Sequence, residues 1–198
     1  REFHASYPDV SVDIDGPYPT GYLREKLLVG HLDVALCFLP VAGDALRSVR
    51  LMSTPLAIAL PATHALASRA TVRIQELSGE SFVAYPSGQG FHLRGAMEAL
   101  CQSAGFRPRV VRETDASQTL LCLVAAGTGV AIIPAETQFL LTEGVVFKKL
   151  RAQAGTLEHG AVWMASNSNP ALHNLLKIAM GQKASHEKQR KKKQNPRG

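Results

Sequence analysis

Two helix openings carry the polar residues of this sequence best placed to do chemistry. The stretch FVAYPSGQGFHLRG (residues 82–95) couples a strand, a glycine-rich turn and a helix start. Unsatisfied N–H groups at such a start, with the helix dipole behind them, attract anions such as carboxylates. Gly88 and Gly90 let a backbone approach a ligand closely, and Ser87 and His92 add side-chain groups. A dinucleotide fingerprint would require a third glycine at Leu93, so that reading fails. A plain strand-to-helix turn satisfies the same pattern with no ligand at all. Thr20, opening an earlier helix, is the matching polar group, and a simple N-cap is its ligand-free reading.

Other chemistries find less support. Ser87 has no GxSxG elbow and no base placed by spacing, so nucleophilic catalysis is not indicated. The histidines show neither HxxxH nor HExxH spacing, and no metal or cofactor is expected. His92 suits a ligand contact or an exposed helix start equally. Asp33, after a glycine stop, reads as a turn or capping residue.

The elements that must position these groups follow one grammar. In TDASQTLLCLVAAGTGVAIIP (residues 114–134), Thr114 or Asp115 can cap a helix bearing Leu120, Leu121, Leu123 and Val124. Gly127 stops that helix, and Val130–Ile133 is an apolar run closed by Pro134. Such a run suits a strand covered on both faces, as in a parallel sheet. The grammar recurs from Thr20 through Leu23 and Leu27 to the stop at Gly30, then the strand Val34–Phe38 and Pro40. Two α/β lobes with a cleft between them are the architecture this predicts. Further expectations are a half-buried strand over Val10–Ile14, a strand pair around Pro55, and helices over 91–104, 135–141 and from Pro170.

Composition sets the bounds. The 198 residues, 45% hydrophobic and 19% charged, read as a soluble globular chain, without the roughly 20-residue apolar run of a membrane helix. The N-terminus lacks the apolar core of a signal peptide. It also lacks an initiator Met and begins inside an apparent helix, so a fragment or processed chain is expected. Cys37, Cys101 and Cys122 lie in apolar segments and read as buried, reduced thiols of a cytoplasmic protein. Residues 181–198 hold seven Lys/Arg and one Glu, which is the whole net charge of +6. The tail could touch phosphates and otherwise reads as a solvated, disordered end.

In order along the chain, YPDVSVDI, TGYLREKLLVGHLDVALCFLP, PLAIALPATHALA, FVAYPSGQGFHLRGAMEALCQSAGFRP, TLLCLVAAGTGVAIIPAETQF and GVVFKKL resemble the effector-binding domain of LysR-type transcriptional regulators. GHLDVAL, LPATHALA and LVAAGTGVAIIPA carry most of the resemblance, nearest the subgroup governing aromatic-compound degradation, whose effectors include muconate. The resemblance implies two Rossmann-like lobes joined by crossover strands, periplasmic-binding-protein-like. Lobe I would comprise residues 1–62 and 144–180, without its first strand, and lobe II residues 63–143. A small, anionic effector would sit between the lobes, touched by Thr20, Ser87, Gly90, Phe91 and His92. DNA would be bound through an N-terminal winged helix-turn-helix absent from this chain. A dimer or tetramer, no membrane contact and no catalytic step are implied as well. The alternative is a periplasmic solute-binding protein of a transporter, which would carry an upstream signal peptide.

Overall fold

The computed structural model describes residues 1–88, 92–140, 142–151 and 156–181. The sequence-predicted contacts Gly90 and Phe91, and the basic tail beyond residue 181, lie outside them. The chain forms two compact units. One holds Arg1–Tyr18, Tyr22–Met52 and the chain from Glu158; the other holds Pro19–Gly21 and Ser53–Leu157. The strands Leu46–Pro61 and Thr156–Met164 each pass from one unit into the other.

In the first unit, α1 (Glu2–Ser6) carries Phe3, whose ring meets Tyr7 one turn on, centroids 5.1 Å apart. Strands β1 (Ala35–Leu39), β8 (Thr156–Met164) and the first half of β2 (Leu46–Pro61) form a sheet in the order β1-β8-β2. Side chains alternate across a strand, so each face of this sheet has its own helix. Leu23 and Leu27 of α2 (Thr20–Leu28) pack on Ala35, Cys37, Leu46 and Val162. Leu172 and Leu176, from a helix over 170–181 (α5), pack on Ala161 beside Val49 and Trp163. Asn169 opens α5 by accepting from the Ala171 N–H at 2.9 Å, with Pro170 following it, the arrangement a missing N–H tolerates. Gly160 of β8 faces Cys37 of β1, and a Cβ there would meet the Val49 carbonyl oxygen at 2.5 Å. No side chain fits.

Val10–Ile14, expected as a strand, is not one: Ile14 is 93% exposed and Val12 55%. Alternation marks a segment able to be a strand, but a strand exists only when its N–H and C=O groups meet a partner. Among the described residues none pairs with it. β1 pairs with β8 antiparallel.

The second unit is a doubly covered sheet. β4 (Ser81–Ala84) pairs parallel with β5 (Arg109–Glu113) on one side. On the other it meets the start of β6 (Ala131–Pro134) through a parallel bridge between Phe82 and Val130. β6 then pairs antiparallel with β2, β2 with β7 (Val145–Leu150), and β7 in parallel with the short β3 (Thr71–Val72). Phe82 and Ala84 turn to one face with Leu56, Ile58, Leu60 and Ile132, beneath Met97 and Cys101 of α3 (His92–Ser103). Val83 and Tyr85 turn to the other with Ala59, Ala131 and Ile133, beneath Leu120, Leu121 and Val124 of α4 (Ser117–Ala125). Period-two strands meeting apolar helix stripes on both sides give this α/β layering.

The glycines of the 127–129 turn have separate duties. Gly127 ends α4 at φ +75°, a left-handed conformation glycine adopts without cost. A Cβ on Gly129 would lie 2.5 Å from the Ser81 carbonyl oxygen, so glycine lets the turn close on β4. The expected strand pair around Pro55 is instead the single strand β2. Pairing with β6 and β7 begins only at Leu56 and Ala57, so the missing N–H of Pro55 breaks no ladder there. The helix expected over 135–141 is present as a 3₁₀ helix over Ala135–Phe139, residue 141 lying outside the described residues.

Candidate functional site

The topology of the second unit singles out one edge. β4, β5 and β6 run the same way, so the segments leaving their carboxyl ends emerge together. From β4 the chain goes by α3 to β5 on one side, and from β5 by α4 to β6 on the other. The connections therefore diverge between β4 and β6. In open α/β sheets, ligands bind outside the carboxyl ends of strands at such a switch point. The described residues flanking it here are 85–88 and His92, after β4, and 135–139, after β6.

The first flank contains the residues singled out in sequence. Ser87 is exposed on a bend, Gly88 takes φ +93°, and His92 is the half-buried first residue of α3. A positive φ gives Gly88 a conformational reason to be glycine that needs no ligand. Thr20 is buried, the first helical residue of α2 rather than a cap before it, and belongs to the same compact unit as Ser87 and His92. Arg94, one turn into α3, fixes the flank. Its guanidinium donates to the Tyr85 carbonyl at 3.1 Å, to Glu113 at 2.6 Å and to Glu98 at 2.6 Å. That fork ties the end of β4, the end of β5 and the start of α3 together.

Sequence reading missed five other polar residues near this edge. Tyr85, buried against α4, shares a 2.7 Å hydrogen bond between its hydroxyl and that of Ser117, the first residue of α4. Burial pushes the Tyr85 phenol above its ordinary pKa, the Ser117 hydroxyl opposing, so it stays protonated at neutral pH. The cap expected from Thr114 or Asp115 is not made: α4 begins after Ala116, and Thr114 accepts only from the Ala116 N–H, at 3.3 Å.

On the second flank the fully buried Thr54 hydroxyl donates to Glu136 Oε1 at 2.6 Å. The last pair of the β2–β6 ladder is Leu56 and Pro134, and just beyond it Thr54 of β2 meets Glu136 of the 3₁₀ turn that follows β6. Glu136 Oε2 is also buried, and no described residue donates to it. Thr137, next in the chain, is buried too.

Hydroxyls, helix-start N–H groups and one carboxylate lie along this edge, groups able to hydrogen-bond a small polar molecule. Among the described residues, no three His, Cys, Asp or Glu side chains assemble as a metal site. No described helix is long and apolar enough to cross a membrane. Of the cysteines expected inside the protein, Cys37 and Cys101 are buried, whereas Cys122 is exposed on α4. It sits on the stripe of α4 opposite Leu120, Leu121 and Val124, which take the buried face.

A helix-covered α/β unit with its polar groups at a switch point is the build of a small-molecule receptor. Comparison with known proteins agrees: the model of the LysR substrate binding domain matches residues 1–183. The chain belongs to that family. It is 29% identical over 179 residues to the HTH-type transcriptional regulator ShiR of Corynebacterium glutamicum (strain R), covering 90% of this chain and 61% of that protein. The chain thus spans about three-fifths of the length of such relatives; for AlsR of Bacillus subtilis (strain 168) the share is 59%. Among solved structures, the effector binding domain of QuiR in complex with shikimate superposes with a TM-score of 0.83 at 16% identity, covering 93% of this chain and 88% of that one. The BenM effector binding domain with benzoate gives 0.80 at 20% identity, covering 94% and 84%. At these identities the likeness shows the fold, which is that of the LysR effector-binding domains, two-lobed and periplasmic-binding-protein-like.

Proposed function

We propose that this chain receives a small carboxylate effector for a DNA-binding transcriptional regulator, at the carboxyl edge of β4 and β6. The single observation that carries this reading is the switch point, flanked by Ser87 and His92 on one side and the Glu136 turn on the other. The effector's carboxylate takes the hydrogen-bond donors where β4 gives way to α3, with Ser87, Gly90, Phe91, His92 and Thr20 as its contacts. The ligands of two fold neighbours, benzoate and shikimate, are both carboxylates and support that class.

The regulator's DNA contacts belong to the part of the protein beyond this chain, as the names of its relatives support. The whole protein is a cytoplasmic homo-oligomer, and binding works by favouring one arrangement of its subunits, which requires the effector to prefer that arrangement. No catalytic step is involved. Isothermal titration of the chain with shikimate and with benzoate tests the first claim. Saturable one-site binding is expected, weakened at least fivefold by Ser87→Ala combined with His92→Ala. An unchanged affinity in that double variant refutes the placement.

A further inference from the structure

Glu136 is the observation that the reading above leaves unused. A buried carboxylate oxygen without a donor is costly and rare in a folded protein, and asks for a reason. Here one oxygen is satisfied by Thr54, itself fully buried on β2 two residues before the Leu56–Pro134 pair. The other, Oε2, is buried and receives no hydrogen bond from any described residue. The position matters as much as the vacancy. Glu136 stands on one flank of the switch point whose other flank holds Ser87 and His92.

We infer that Glu136 Oε2 is the acceptor for a hydrogen-bond donor carried by the effector, a hydroxyl or an ammonium group, with Thr54 holding the carboxylate in place. This rests on the receptor reading and narrows its ligand class. A carboxylate facing the site repels a second carboxylate and rewards a donor, so hydroxy- or amino-carboxylates are favoured over plain aromatic acids and over dicarboxylates such as muconate. A site built to pair with a donor rejects the analogue lacking it, because its own polar atom is then left buried and alone.

The test uses the 198-residue chain, its Glu136→Gln variant and four carboxylates: benzoate, 3-hydroxybenzoate, shikimate and 3-(aminomethyl)benzoate. Calorimetry of the wild type should rank the donor-bearing acids above benzoate. Glu136→Gln should cost the favoured donor acid roughly 10- to 100-fold in affinity, the range for losing a hydrogen bond to a charged group. Benzoate should change less than about twofold, a donor-free ligand having no bond to lose. Hydroxyl and ammonium are told apart by which of the two substituted benzoates suffers more. Equal losses for benzoate and the donor acids, or no loss for any, would overturn the inference while leaving the receptor reading intact. Failure of all four to bind the wild type would sink both.

Melting temperature without ligand is a second, independent readout. Glu136→Gln should melt within about 2 °C of wild type, since Oε2 has no partner among the described residues to lose and the Gln carbonyl still accepts from Thr54. A fall of about 8 °C or more would assign Glu136 to the scaffold and overturn the proposal.

Discussion

Replacing Gly129 by alanine should open the seam on which the second unit closes. The new Cβ would lie 2.5 Å from the Ser81 carbonyl oxygen and 2.9 Å from its carbon, about 1 Å short of ordinary contact. Neither side can yield cheaply, because both are backbone. The Val130 N–H donates to Ser81 O at 2.8 Å and the Val83 N–H to Val130 O at 2.9 Å, and these bonds hold β6 against β4. Relieving the clash stretches both, each worth about 1 kcal/mol net, and adds the 1–3 kcal/mol typical of an overpacked interior. A loss of about 3 kcal/mol follows, or roughly 6–12 °C in melting temperature for a chain of this size. Far-UV circular dichroism melts of Gly129→Ala and Gly127→Ala, beside wild type, measure it. A Cβ on Gly127 meets nothing within 4 Å, so that variant suffers only the left-handed backbone penalty of about 1–2 kcal/mol. If Gly129→Ala melts within 2 °C of wild type, or above Gly127→Ala, the packing argument is wrong.

Three further outcomes follow from the same structure. Arg94→Met should lower stability by about 1–3 kcal/mol in urea titrations, since it strips Glu113, Glu98 and the Tyr85 carbonyl of a shared donor. Arg94→Lys should recover only part of it, and full recovery would contradict the forked geometry. Iodoacetamide at pH 8 should label Cys122 first. Burial, and secondarily the charge of Glu98, pushes the Cys101 thiol up to about 11, leaving it a protonated and sheltered thiol until the chain unfolds. Rapid native labelling of Cys101 would refute that burial. Glu76 accepts from the Arg73 N–H at 2.8 Å, and this bond, ahead of the Arg73 and Arg69 charges, holds its carboxyl below the ordinary value. The resulting stability is complete above the ordinary carboxylate pKa and is lost as pH falls through the lowered one. Glu76→Gln should therefore melt earlier at neutral pH and match wild type in strong acid; an equal deficit at both would refute the charge origin.

What could be read from the sequence was whatever a local pattern dictates. Leu120, Leu121 and Val124 announced the buried stripe of α4, Gly127 its end, and Val130–Ile133 the strand beyond, because helix period, positive φ and apolar run are all properties of neighbours in the chain. The turn after β4 was legible for the same reason. Val10–Ile14 misled because alternation records a residue's capacity for a strand, whereas pairing depends on a partner that sequence spacing does not name. The Thr54–Glu136 bond was illegible for a related reason. Eighty-two positions separate the two residues, and only the Leu56–Pro134 register brings them together. Cys122 was assigned to the interior from its apolar neighbours, but a helix has an outer stripe even where the sequence around it is apolar.

Hydrogen–deuterium exchange of the chain with and without saturating shikimate tests the central claim most directly. The account predicts slowed exchange along the carboxyl edge, at residues 85–95, 114–118 and 135–138, with the opposite edge at 78–80, 105–108 and 127–129 unchanged. Protection confined to that opposite edge, or spread evenly over both, would contradict it.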